Sequence, residues 1–368
     1  MQISLLQEEL IKGINTVYRF VSTKSQLPIL SHILISIEKG RIRLCGTNLE
    51  SGINYWLGAK VEEDGQIAVP AKILVDTISS LKPGKIELTE KEGILTISSG
   101  NSLITIPTIP ANDFPQVDYE LSKQKIVLPK NLLESIVHQV LFTAGGEEGR
   151  VEFTGVLFWP RDKELVVVAT DGVRLSVKRL TTSLDLPGKM LIPAKIIGEI
   201  NKIFNNSEVK FSFDEDKNQA LFGNEDIVVV SKVLDSEKYP DFERIIPQGV
   251  NVTILADKEE LQNTLKLSAI FSRDYGVRLE FANNECVLVS ENPQTGTQKS
   301  TIPVKLEGDS LIISFNWRFL NDFLNSVSGS EVEFKFVNNM SPGLFIDPKD
   351  KTYTHLIMPI RTNEAESS

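Results

Sequence analysis

Val69-Pro-Ala-Lys-Ile-Leu-Val-Asp-Thr-Ile-Ser-Ser-Leu81 decides the fold, because the chain writes it again. It returns as Ile192-Pro-Ala-Lys-Ile-Ile-Gly-Glu-Ile-Asn-Lys-Ile-Phe204 and, more loosely, as Phe315-Asn-Trp-Arg-Phe-Leu-Asn-Asp-Phe-Leu-Asn-Ser-Val327, each copy 123 residues after the last. The apolar columns are Ile73, Ile196 and Phe319, then Leu74, Ile197 and Leu320, then Leu81, Phe204 and Val327. Positions i, i+1 and i+8 form one stripe of a helix about three turns long. Pro70 and Pro193 stand near its first position, where the missing N–H costs nothing. Lys72, Lys195 and Arg318 keep a cation in the first turn, facing the positive end of the helix dipole. Two readings stay open for that cation: a solvated side chain reaching outward, or a contact to a phosphate.

Working outward, other segments keep the same period. A helix opens each unit: Leu5 to Phe20, Pro129 to Thr143 with Leu132, Leu133, Ile136, Val137 and Val140 on one face, and Asp257 to Phe271. A strand set closes each: Lys85 to Ile109, Glu208 to Leu234, and Glu331 to Ile360. Phe114-Pro115 and Tyr239-Pro240 fall at equivalent exits. The pattern predicts three α+β domains of similar topology, with helices on one face of antiparallel sheet. They span 1–122, 123–248 and 249–368, with breaks where Pro, Gly and polar residues cluster near Leu121 to Lys125 and Pro247 to Val250.

Within the middle unit, the apolar run Leu165 to Val168 and the short run Leu175 to Val177 flank Asp171-Gly172, the composition of a hairpin turn. Its counterpart one period earlier is Thr47-Asn48. Asp171 and Arg174, with His355, admit a catalytic reading. They admit also a turn-forming Asp171 beside an Arg174 on a docking surface, and Asp-Gly, the commonest hairpin signal, favours a structural hairpin. Against catalysis, no second carboxylate or nucleophile is tied to Asp171 by spacing.

Composition narrows the classes. Formal net charge is −10, which argues against holding nucleic acid mainly by neutralising phosphates. Two cysteines, Cys45 and Cys286, in apolar surroundings suit a reducing compartment and small core residues. His32, His138 and His355 are too scattered for a zinc site, and neither a metal nor a cofactor is expected. The common phosphate-cradling and hydrolytic motifs are absent from the sequence, as is any apolar run long enough to span a membrane. A soluble, cytoplasmic protein is expected.

Several stretches taken together resemble a family. Leu27-Pro-Ile-Leu30, Gly46-Thr-Asn-Leu-Glu50, Asp113-Phe-Pro115, Ala169-Thr-Asp-Gly-Val-Arg-Leu175, Tyr239-Pro-Asp-Phe242 with Arg244, Gly276-Val-Arg-Leu279, Asn292-Pro293 and Met358-Pro-Ile-Arg361 follow one another at the spacing of the bacterial DNA polymerase III beta subunits, the sliding clamps. The resemblance covers the whole chain. It implies three domains of the DNA clamp type, each with two helices on antiparallel sheet, closing as a head-to-tail homodimeric ring around duplex DNA. A domain of this size is about 35 Å across, so three leave almost no hole while six leave an opening of roughly 35 Å, wider than a duplex of roughly 20 Å. The family function is a non-catalytic one: a clamp loader places the ring on DNA, and it tethers the polymerase III catalytic subunit, other polymerases, ligase or mismatch-repair proteins through short peptide motifs.

The resemblance also assigns residues. The partner-peptide pocket is implied to include Phe153, Thr170, Gly172, Val173, Arg174 and Leu175, then Pro240, Arg244 and Ile245, then Leu356, Met358, Pro359, Ile360 and Arg361. Met and branched aliphatics make an adaptable apolar slot, and rim arginines fix a peptide backbone or an acidic side chain. Lys24, Arg150 and Lys195 match positions facing DNA, although Val151 and Glu152 replace an aromatic pair of some relatives. Ile104 and Ile106, alternate residues of an edge strand, are implied to meet Ile270 and Phe271 of a second copy. Val173 stands where many relatives carry His, and Thr362 follows Arg361 where many end in an aliphatic. The tail Asn363 to Ser368 is polar and acidic, the composition of a disordered segment. Two rival readings remain: an enzyme using Asp171 and Arg174, and a clamp paralogue specialised for repair or antibiotic resistance.

Overall fold

The computed structural model describes residues 1–22, 26–123, 125–182, 184–205 and 207–361. Among them are six α-helices: α1 (Gln7–Tyr18), α2 (Ala71–Ser80), α3 (Lys130–Gln139), α4 (Ala194–Ile203), α5 (Lys258–Phe271) and α6 (Trp317–Ser326). Each lies inside a stretch that the repeat marks as helical. In α1, Leu10, Gly13, Ile14 and Val17 are buried at i, i+3, i+4 and i+7. Gly13 lets α1 sit close to the sheet, since a Cβ there would stand 3.0 Å from the Cδ1 atoms of Leu44 and Leu57, which would have to shift. Asp257 caps α5 by accepting from Glu260 N, and Asn316 caps α6 by accepting from Arg318 N. One apolar column departs from expectation: Ile73 is half exposed rather than packed.

The chain divides into two compact units, Met1–Lys130 with Glu199–Val233, and Asn131–Gly198 with Leu234–Ser368. In the first, a five-stranded antiparallel sheet ends on the edge strand Ser102–Pro107. A nine-stranded sheet joins first-repeat to second-repeat strands. Its seam pairs Ser51–Gly58 with Ile227–Lys232, Ile53 standing opposite Val229. Helix α1 packs on α2 and on the strands Arg41–Thr47 and Ser51–Gly58. Leu34, Cys45, Val117, Leu221, Val228 and Val230 form a core cluster across that seam.

The second unit is built on a twelve-stranded antiparallel sheet with Leu311–Asn316 at one edge. Its seam pairs Arg174–Thr181 of the middle repeat with Tyr353–Ile357, the last strand described, and sets Ser176 opposite His355. The two seams are built alike, because in each the strand leaving the central hairpin turn meets the closing strand of the next repeat. Helix α5 packs on α6 and on the strands Glu285–Asn292 and Gly296–Glu307, over a core rich in phenylalanine. Cys45 and Cys286 are both buried, and burial pushes each thiol up to about 12, leaving them unreactive. Among the described residues no helix is long and apolar enough to cross a membrane.

Candidate partner-docking groove

The stretch Ala169–Ser176 folds as a tight hairpin between the strands Glu164–Thr170 and Arg174–Thr181. Two side chains build its turn. Thr170 Oγ1 donates to Arg174 O (2.7 Å) and accepts from Gly172 N (3.0 Å). Asp171 Oδ1 accepts from Val173 N and Arg174 N, each at 2.9 Å. Gly172 takes the positive φ (+90°), and a Cβ there would stand 3.0 Å from the Phe153 ring. The glycine keeps the turn low and leaves Phe153 bare to a neighbouring hollow.

That hollow is a groove of about 150 Å³ lined by Phe153, Thr170, Gly172, Val173, Arg174, Leu175, Pro240, Ile245, Pro342, Leu356 and Met358. The seam positions these residues, since Leu175 pairs with Leu356 and Met358 N donates to Val173 O (2.9 Å). Val173, Ile245 and Met358 are exposed, an apolar cluster without a cover. Small-molecule pockets run about 300–1,000 Å³, so this groove suits one or two side chains of a longer segment. A roomier hollow of about 590 Å³ in the first unit carries Asp118, Glu120, Asp214 and Glu215. Lys217 reaches Asp118 at 3.1 Å there. It has no comparable run of exposed aliphatics.

Arg174 lines the groove, but it is not a free rim cation. Its Nε donates to Asp171 Oδ2 (2.9 Å), Nη1 to Asp322 Oδ2 on α6 (2.6 Å), and Nη2 to Phe142 O (3.0 Å). The guanidinium also lies over the rings of Phe319 and Phe142, and its side chain is 12% exposed. Beneath the groove runs a buried polar chain, in which Thr143 Oγ1 meets Ser176 Oγ (2.6 Å) and Ser176 Oγ meets His355 Nδ1 (2.8 Å). His355 is stacked on Phe323. Burial, with Arg174 nearby, pushes the imidazole down to about 3, so it stays neutral. Farther along the seam Lys178 Nζ reaches Asp350 Oδ2 (2.6 Å). Burial drives the Asp350 carboxyl up, but hydrogen bonds from Lys178, Thr352 and Gln139 outweigh that and hold it at about 2.

The structure thus brings together ten of the sequence-predicted pocket residues and sets four apart. Arg244 extends outward and pairs with Asp241 (2.9 Å). Ile360 turns into a separate hollow beside Gly276 and Ser290, its N–H bonded to Ser314 O (2.7 Å). Pro359 and Arg361 do not line the groove. Pro342 joins the wall instead, unmarked by any repeat column, and Asp322 stands behind it. Asp322 was visible as a column, since Asp76, Glu199 and Asp322 occupy one position of the repeated helix.

Elsewhere, Arg150 is paired with Glu152 and lies over the Phe153 ring, while Lys195 sits exposed in the first turn of α4. Lys24 and the residues 362–368 lie outside the described residues. At the first unit's edge Ile106 is 2% exposed and Ile104 half-buried. They face inward, and Leu103 at 71% exposure supplies the outward apolar surface. On α5, Ile270 is 65% exposed and Phe271 half-buried. No acid–base pair opens on the groove: Asp171 is committed to the turn and Arg174, and His355 is sealed in the core.

Three related α+β repeats, the first and second sharing one sheet and the second and third another, with an apolar groove at the second of these seams, define a scaffold of the clamp class. Family models for the N-terminal, central and C-terminal domains of the DNA polymerase III beta subunit match residues 1–118, 127–241 and 243–361. Proteins named beta sliding clamp from Staphylococcus epidermidis and Staphylococcus aureus are each 28% identical, over 98% of this chain and all of theirs. Among solved structures, the DNA polymerase III beta chain of Streptococcus pneumoniae superposes with a TM-score of 0.92 at 27% identity, covering 98% of this chain and 100% of that one. The beta subunit of Pseudomonas aeruginosa gives 0.90 at 26%, with the same coverage. The chain belongs to the DNA polymerase III beta-subunit family, and its function is that of a sliding clamp.

Proposed function

We propose that two copies of this chain close head to tail around duplex DNA, and that the groove at the second seam tethers a polymerase or another DNA-processing protein by a short apolar peptide. The protein catalyses nothing itself. It works in the cytoplasm, a clamp loader opens it onto DNA, and its domains are 1–122, 123–248 and 249–368. The observation that carries this reading is the uncovered cluster of Val173, Ile245 and Met358 beside a glycine turn, the shape an apolar peptide side chain fills. Ring closure is supported by two open sheet edges, Ser102–Pro107 with exposed Leu103 and Leu311–Asn316 with exposed Ile312, and by exposed Ile270. Ile104, Ile106 and Phe271 back that contact from within. Lys24, Arg150 and Lys195 are assigned to the DNA side.

An acidic chain can hold DNA in this way because linkage replaces affinity, and a ring that gripped phosphates tightly would not slide. The test is retention. The protein, loaded by its clamp loader onto nicked circular DNA, is expected to stay on the circle and to leave within minutes once the circle is cut. Retention on linear DNA would contradict encirclement.

A further inference from the structure

The helix column Ile73, Ile196, Phe319 is open in its first copy and covered in the other two. Ile196 is 4% exposed. Phe319 packs on the core of its own repeat, and the guanidinium of Arg174, from the preceding repeat, lies 4.3 Å from its ring centroid. Ile73 is 51% exposed. What separates it from the others is its place in the order, since no repeat precedes it in the chain.

The acidic column one turn further on behaves alike. Glu199 accepts from Arg19, at the end of α1 (3.0 Å), and Asp322 accepts from Arg174 Nη1 (2.6 Å), so each is tied to the repeat before it. Asp76 is held instead by Lys72 of its own helix (3.3 Å). Buried Leu10, Ile14 and Val17 of α1 align with buried Leu261, Leu265 and Ser268 of α5, which puts Ile270 in the column of Arg19. Where the first repeat offers a cation to the next, the third therefore presents an exposed aliphatic. Both uncovered aliphatics adjoin an open sheet edge. Gln66–Pro70, the strand leading into α2, contacts the edge strand Ser102–Pro107, and α5 packs on α6, which follows the edge strand Leu311–Asn316.

Resting on the ring reading given above, we propose that Ile73 of one copy packs against Ile270 of the other at each junction between copies, an apolar contact in the place where both internal seams carry an arginine–carboxylate tie. Chain order argues for a second copy as the occupant, since only a third repeat set before the first supplies the missing neighbour. Charge argues the same way, because Lys72 already answers Asp76 and no cation is wanted from the partner. At the junction that a loader parts, this helix contact is held by exclusion of water rather than by charge, and added salt does not screen it.

The test uses donor- and acceptor-labelled copies of the full-length protein. Subunit exchange is read from the decay of energy transfer after unlabelled protein is added in excess. Ile73→Glu and Ile270→Arg, both at exposed sites, are each expected to speed exchange about tenfold, because each sets an unpaired charge against an aliphatic. Combined in one chain, they place opposite charges on the same contact and should return exchange to within about threefold of wild type in dilute salt. Raising NaCl to about 0.5 M should undo that recovery. The reversed pair, Ile73→Arg with Ile270→Glu, should behave alike and stands in where a variant fails to fold by circular dichroism. Single changes that leave exchange unaltered, or whose effects multiply in the combined variant, overturn the inference and leave the ring standing. Absence of energy transfer in wild-type protein at micromolar concentration would overturn both.

Discussion

The hairpin turns at Thr47–Ser51 and Thr170–Arg174 are the same device with different outcomes. In the first, Thr47 Oγ1 donates to Ser51 O (2.8 Å) and accepts from Leu49 N (3.0 Å), and Asn48 Oδ1 accepts from Glu50 N and Ser51 N. Every bond has its counterpart at Thr170 and Asp171. Yet the first turn borders a hollow of only about 70 Å³, whose lining includes Glu50, Ser51, Asp118 and Gln219. The second borders about 150 Å³ of apolar wall. Three exchanges make the difference: Leu49 becomes Gly172, Glu50 becomes Val173, and the closing strand continues past Ile357 to deliver Met358. A shared backbone frame thus borders an apolar groove in one copy and a small polar hollow in the other, through side chains alone.

The seams beside the turns differ in the same spirit, and acid should separate them most strongly. The first pairs Ile53 with Val229, and the second pairs Ser176 with His355. His355 has its folded-state pKa lowered from 6.5 to about 3, so the unfolded chain takes up its proton first as pH falls. Stability from this group is fully present above about 6.5 and is lost on acidification toward 3, at about 1.4 kcal/mol per pH unit. Asp350, depressed from 3.8 to about 2, adds a loss of the same sign below about 4. Urea unfolding between pH 7 and pH 5 should show that slope, and His355→Gln should flatten it. An equally steep slope in the variant would place the acid sensitivity elsewhere.

A smaller effect separates the turns themselves. Gly172→Ala forces a Cβ into positive φ and against Phe153, and should cost about 1–2 kcal/mol. Leu49 already sits at φ +72°. Relieving it by Leu49→Gly is offset by the extra freedom glycine gives the unfolded chain, so that variant should stay within about 1 kcal/mol of wild type. Thermal or urea midpoints decide it, and equal costs at both sites would mean the two turns are not equivalent frames.

Much of this was legible in the sequence because repetition and periodicity are local. The helix columns at Leu74 and Leu320, the Asp171-Gly172 turn and the three-unit architecture follow from spacing alone, and resemblance supplied the groove's apolar residues. What escaped depends on distance through space. Arg174 reads as a rim cation until α6 brings Asp322 to it. Ile106 is already buried within the chain, and the outward apolar side chain of that edge strand is Leu103, which no repeat column marks. Ile360 reads as part of the groove until its bond to Ser314 carries it past. Pro342 carries no periodic signal, and only the folding of its loop puts it in the wall.

The central claim is that of two matching turns only the second docks a partner peptide. Methyl NMR on full-length protein, titrated with a neutral Leu- and Phe-containing hexapeptide, tests it most directly. Saturable shifts at Val173 and Met358, with Leu49 unmoved, are the predicted result. Shifts of equal size at Leu49, or none at Met358, would contradict it.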